Sequence, residues 1–179
     1  MSKNKDSFRT CFKNVVRAGL LGLPTLMVCY LVLGAVMEYN TFEARNVAFA
    51  IVMGVANAAA LYILHFRNHI YTYAEHGDKF SVMAELKAYI RGEGKYFLWI
   101  YGLCALASEI DMLIPRETVG RPVATVCGFV LNLIWGYVPV PVVRNLLALL
   151  YSFGMVCLLA VLRSRKVYLE DRRSEQEAD

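Results

Sequence analysis

Residues 18–37 read AGLLGLPTLMVCYLVLGAVM, twenty positions without one acidic or basic side chain. A bilayer core about 30 Å thick takes roughly 20 apolar residues of helix to cross. A second run of the same length, 47–66, reads VAFAIVMGVANAAALYILHF and is also free of Asp, Glu, Lys and Arg. Three shorter or less regular runs follow at 97–114, 123–140 and 146–162. The chain therefore reads as an all-α integral membrane protein: a polytopic helical bundle of four to five transmembrane helices, one of them re-entrant or partial. No Gly/Ser-rich or Pro-rich linker divides it, so 1–179 is expected to form a single membrane domain.

The charges lie between these runs. Lys and Arg total 19, with five in 1–17, one in 38–46, five in 67–96, two in 115–122, Arg144 alone, and five in 163–179. Positively charged loops stay in the cytoplasm, so the N-terminus, the 67–96 loop and the tail are all expected inside, in a cell membrane. Both ends inside requires an even number of crossings. Five full crossings would leave 11 of these charges inside and 8 outside. If 97–114 does not cross fully the split is 17 to 2, and if 123–140 does not, 15 to 4. The first of these runs contains Glu109 and Asp111; the second contains Gly128, Asn132, Gly136 and Pro139, as a broken helix would. Charge counting leaves both open.

The net charge of +4 does not point to nucleic acid, because the basic residues flank apolar runs, where orientation and anionic lipid account for them. The expected partners are the lipid bilayer and either a second copy of the chain or another membrane protein. Five cysteines show no CxxC spacing, and four lie inside apolar runs, so neither a disulfide framework nor a zinc knuckle is expected. The first run is too long for the apolar core of a typical signal peptide, and no clear small-residue cleavage pattern follows it. It is read as an uncleaved first helix.

Two amphipathic stretches are expected on the membrane surface. Phe8, Cys11, Phe12 and Val15 share one face of 6–16. In 79–91 the apolar positions are Phe80, Met83, Leu86 and Ile90, with Asp78 as cap and Gly92 and Gly94 as stop. Tyr96, Phe97, Trp99 and Tyr101 mark the water–lipid boundary. The tail beyond Leu169 has no apolar face, and fraying is expected there.

Helices in lipid associate through small residues and polar bridges. Gly54 and Ala58, with Asn57 beside them, make one such stripe; Gly128, Asn132 and Gly136 make another, fit for packing within the chain or for a homodimer. Glu109 and Asp111 are costly inside a bilayer and face a partner or water. They stand two apart, on different helix faces, so they do not form one acid pair. Interfacial solvation or pairing with Arg116 or Arg121 is the plainer expectation; a cation or proton site is the functional one. Arg144, beside Asn145, marks a turn or holds an anion at the start of the last helix.

His65 and His69 are four apart and share a helical face. Two histidines alone make no metal site: a third ligand is needed, and neither Glu75 nor His76 shares their face. No metal and no cofactor is therefore expected, with His65 and His69 as weak candidates. GxSxG, HExxH, GxGxxG and the phosphate-loop pattern are all absent, and GEG at 92–94 reads as a turn. The functional expectation is a non-enzymatic transporter-like unit or a subunit of a membrane complex. The alternatives are a membrane-embedded enzyme acting on a lipid or isoprenoid, and a structural or regulatory membrane partner.

Overall fold

The computed structural model describes residues 8–36, 52, 54–77, 79–113, 123, 127, 130, 131 and 140–177. Among these the regular structure is entirely helical, with no strand. Helix α1 spans Phe8–Val36, continuing through Pro24. Helix α2 spans Gly54–Phe66 and ends in a π-helical turn, Tyr62–Phe66. A strap, residues 67–81, leads to the short α3, Val82–Tyr89. A second π-helical turn, Ile90–Gly94, kinks at Gly92 and runs into α4, Lys95–Leu113. The last helix, α5, spans Pro141–Gln176. One helix among the described residues, Val142–Gln176, is long and apolar enough to cross a membrane; Gly54–Phe66 is apolar but shorter.

Side-chain bonds fix the directions of these helices. Phe8 at the start of α1 meets Tyr96 at the start of α4, ring to ring at 6.2 Å. Asn14 of α1 meets His65 at the end of α2. Far along α5, Arg163 Nε donates to the His69 carbonyl at 2.8 Å. These groups share one end of the bundle. At the other end, Asn145 near the start of α5 donates to Glu109 near the end of α4. So α4 and α5 run antiparallel, and the chain between Leu113 and Pro141 leaves and returns at the same end. Part of it reaches inward: the Leu131 carbonyl accepts from Ser152 Oγ at 2.8 Å. Val130 lies 3.8 Å from the place a Gly19 Cβ would take.

Two expectations are corrected here. Residues 6–16 do not form a separate surface helix, since Phe8 opens the continuous α1. Cys11 and Val15 are buried while Phe8 and Phe12 are exposed. Nor does the tail fray after Leu169: α5 continues to Gln176. It is held because Tyr168 Oη and Arg172 both donate to the Gly77 carbonyl, at 3.0 and 2.9 Å. The strap thus supplies the partner that the tail sequence lacks.

Helix α3 differs as well. Its cap is Ser81, whose Oγ accepts from the Ala84 amide. The buried positions are Glu85 and Tyr89, while Met83 and Ile90 are exposed. A buried carboxylate needs donors, and the strap provides them: the amides of Tyr73 and Ala74 donate to Glu85 at 2.7 and 2.9 Å. His76 Nε2 is 2.8 Å from the same group. That polar seam, rather than the apolar stripe, decides which face turns inward.

The interior of the bundle is polar for its size. Asn14, Asn57, His65, Ser108, Asp111, Asn145, Ser152 and Ser164 are buried, while Leu20, Leu21, Val55, Ile63, Leu103, Leu106, Leu150 and Leu158 face outward.

Candidate metal centre

The polar groups of the interior converge where α2, the strap and the π-helical turn before α4 meet. His65 sits in the last turn of α2 and His69 just beyond it, on the same face; their ring centroids are 5.0 Å apart. Glu93 arrives from the Ile90–Gly94 turn. One ligand atom from each of His65, His69 and Glu93 lies within 4.8 Å of the others. The three are 4, 7 and 4% exposed. His65 Nε2 is 3.5 Å from Glu93 Oε2.

Glycine makes this approach possible. A Cβ on Gly94 would meet the Tyr89 carbonyl at 3.0 Å and the Tyr89 ring at 3.1 Å, so the turn can press against α3 and aim Glu93 inward only with Gly at 94. The strap then closes over the acid. Tyr71 Oη donates to Glu93 Oε1 at 3.0 Å, and Tyr73 Oη to Oε2 at 2.7 Å. Tyr73 Oη also lies 2.8 Å from His69 Nδ1. Phe66 and Phe97 stack beside the histidines and exclude solvent.

Charge and burial pull in opposite directions here. Burial raises the Glu93 pKa, but hydrogen bonds from His65 and Tyr73, with the nearby His69, hold it below the ordinary carboxylate range. Burial, and then the Glu93 charge, push the Tyr73 phenol well above its ordinary value. At neutral pH Glu93 is therefore a carboxylate and Tyr73 a protonated phenol. Imidazole and carboxylate together suit zinc, iron and similar transition ions.

Metal-bound histidines need their second nitrogen held. For His65 that partner is Asn14, whose amide nitrogen lies 3.2 Å from Nδ1. An amide presents a donor or an acceptor by turning over. With its oxygen toward Nδ1–H, Asn14 would hold the His65 tautomer whose Nε2 lone pair faces Glu93.

Sequence reading named His65 and His69 but missed Glu93, Tyr73 and Asn14. Of the neighbouring candidates, Glu75 is exposed and His76 is committed to Glu85. The other named residues lie elsewhere. Gly54, Asn57 and Ala58 line a separate cavity of about 20 Å³ with Tyr101 and Ser152, room for about one water. A side chain on Gly54 would run into the Tyr151 ring of α5. At the far end Glu109 is paired with Asn145, and Asp111 is buried. Arg144, half-buried in the first turn of α5, has Nε and Nη2 without hydrogen-bond partners. Gly128, Asn132 and Gly136, like Arg116 and Arg121, lie outside the described residues. Comparison with protein-family models, with curated proteins and with solved structures gives no match to this chain, so its functional reading rests on this geometry.

Proposed function

We propose that the chain is a small polytopic membrane protein that holds one transition-metal ion between His65, His69 and Glu93, at the cytoplasmic end of its bundle. It would serve as an ion-binding unit of a transporter or of a larger membrane complex. The observation that carries the metal reading is the meeting of three buried donors within 4.8 Å. A buried carboxylate beside two imidazoles is costly to build for packing alone, and it is the ligand set such ions take.

Membrane residence is supported by the reversed distribution of polarity. Exposed leucine, isoleucine and valine lie on the outward faces of α1, α2, α4 and α5, while Asn, Ser, His and Asp are buried among the apolar core residues. Water would penalise apolar side chains so exposed, and hydrocarbon would penalise polar ones turned outward. At 1.5 Å per residue α1 is about 44 Å long and α4 about 29 Å, against a bilayer core of about 30 Å. Four crossings, by α1, α2, α4 and α5, agree with the antiparallel pairing of α4 and α5. That count of crossings corresponds to the 15 to 4 division of basic residues. Single cysteines at Glu117 and Glu175 test this in sealed cells: position 117 should react with an impermeant maleimide and position 175 only after lysis. Labelling of both from outside would refute the topology.

A second reading has one observation in its favour. Three protein ligands leave a position open, as at catalytic ions, so a membrane-embedded enzyme acting on a lipid would fit the same residues. Against it, all three ligands are nearly inaccessible and roofed by Tyr71 and Tyr73, which suits retention of an ion better than entry of an acyl chain.

The deciding experiment is metal content. Protein purified in detergent without a polyhistidine tag should carry, or take up, close to one zinc or iron per chain. His65→Ala/His69→Ala should carry none while remaining monodisperse. Equal metal content in both would end the proposal.

A further inference from the structure

We propose that Tyr73 is the fourth ligand of this centre, and that the completed set selects a hard, oxidised ion of the ferric class over zinc. The inference rests on the three-ligand reading above and adds to it the identity of the ion.

The position of Tyr73 carries the argument. Its Oη stands 2.7 Å from Glu93 Oε2 and 2.8 Å from His69 Nδ1. Donor atoms bound to one ion at about 2.0–2.2 Å stand roughly 3 Å apart, so the phenol oxygen keeps from Glu93 Oε2 and His69 Nδ1 a spacing close to that of ligands sharing one ion. Tyr71 differs. Its Oη donates to Glu93 Oε1, the carboxylate oxygen on the other side of the acid. Tyr71 is therefore a positioning residue, which fixes the rotation of the carboxylate.

The donor set then reads two imidazole nitrogens, one carboxylate oxygen and one phenolate oxygen. Two anionic oxygens match a small ion of high charge. Among the described residues the clustered donors are Glu93, His65, His69 and Tyr73, with no thiol in the group. Cytoplasm-facing zinc sites of the closed kind draw on cysteine and histidine; oxygen donors favour harder ions. On binding, the Tyr73 O–H bond breaks, its electron pair forms the oxygen–metal bond, and the proton passes to solvent. The ion is neither oxidised nor reduced.

The test is spectroscopic. Detergent-purified, metal-free protein is titrated with ferric nitrilotriacetate, and in parallel with zinc. Ferric phenolate absorbs in the visible through ligand-to-metal charge transfer, whereas imidazole and carboxylate alone do not give this band. The wild-type protein should turn coloured at one equivalent of iron. Tyr73→Phe should lose the band while still binding zinc, which shows that its pocket is folded; Tyr71→Phe should keep it. Iron bound without the band, or a band that survives Tyr73→Phe, would overturn the assignment of Tyr73 and leave the three-ligand centre standing. Failure to bind iron and zinc alike would remove both.

Discussion

Glu93→Gln should reduce metal affinity at least about 100-fold while leaving the bundle folded. The carboxylate is the sole acidic member of the three-ligand set, and a hundredfold loss corresponds to about 2.8 kcal/mol. Glutamine keeps the volume and one acceptor oxygen, and hydroxyl groups rotate to accept as well as donate. Tyr71 and Tyr73 can therefore stay bonded. Glu93→Leu is a harsher change. It strips the acceptor from Tyr71 Oη and Tyr73 Oη, at about 1–3 kcal/mol for each buried group left unpaired, so this variant should also unfold earlier on heating. Metal content by mass spectrometry separates the two effects. Acid titration adds a check with a definite sign. The Glu93 pKa is held below the ordinary value of 4.5, so its contribution to stability is full above that pH and fades as pH falls through the lower folded value. Thermal unfolding of metal-free protein should show that acid loss in the wild type and a shallower one in Glu93→Gln. Identical metal affinity in wild type and Glu93→Gln would remove the acid from the centre.

The helical class was legible because length and apolar content are summed properties that survive local error. The loop of 67–96 was not. Its sequence offered a stripe at Phe80, Met83, Leu86 and Ile90, which reads as a helix on the membrane surface and gives no sign of a buried carboxylate. The structure buries Glu85 and Tyr89 instead, because pairing one buried carboxylate with two backbone amides and an imidazole outweighs the burial of a methionine that lipid or headgroups also accept. No periodicity rule sees that, since the donors come from residues 73, 74 and 76 on an irregular strap.

The cluster of His65, His69 and Glu93 failed to show for a related reason. His65 and His69 were visible through their spacing, and the search for a third ligand stayed within the same helix. Glu93 is 24 residues beyond His69 and sits between two glycines that read as a turn. The segment is instead a π-helical turn that kinks at Gly92 and runs on into α4, and the close approach at Gly94 delivers the acid inward. One signal was available. A single acidic residue between two glycines, directly before an aromatic run, leaves that side chain no helix face of its own to solvate it. Asn14 was hidden differently, inside a basic stretch that charge counting explained without it.

Glu85→Leu should release the strap and weaken the centre from a distance. Glu85 is fully buried and accepts from the Tyr73 amide, the Ala74 amide and His76 Nε2 at 2.7, 2.9 and 2.8 Å. His76 Nδ1 in turn accepts from the Ser81 amide at 3.3 Å. Leucine fills much of the space and satisfies none of these donors. Keeping the strap in place would cost about 1–3 kcal/mol per orphaned group, so local release is the cheaper response. Tyr71 and Tyr73 travel with the strap, and partners that orient metal ligands are typically worth 10–100-fold in affinity. Metal affinity should therefore fall by roughly that factor, although Glu85 itself touches no ion. Limited trypsinolysis reads the strap directly, because Lys79 is exposed within it: cleavage there should quicken at least tenfold. Glu85→Gln, which retains one acceptor, should fall between, and Lys87→Gln on the exposed side of α3 should match the wild type. If Glu85→Leu quickens cleavage but leaves metal affinity untouched, the tyrosines of the strap have no part in holding the ion.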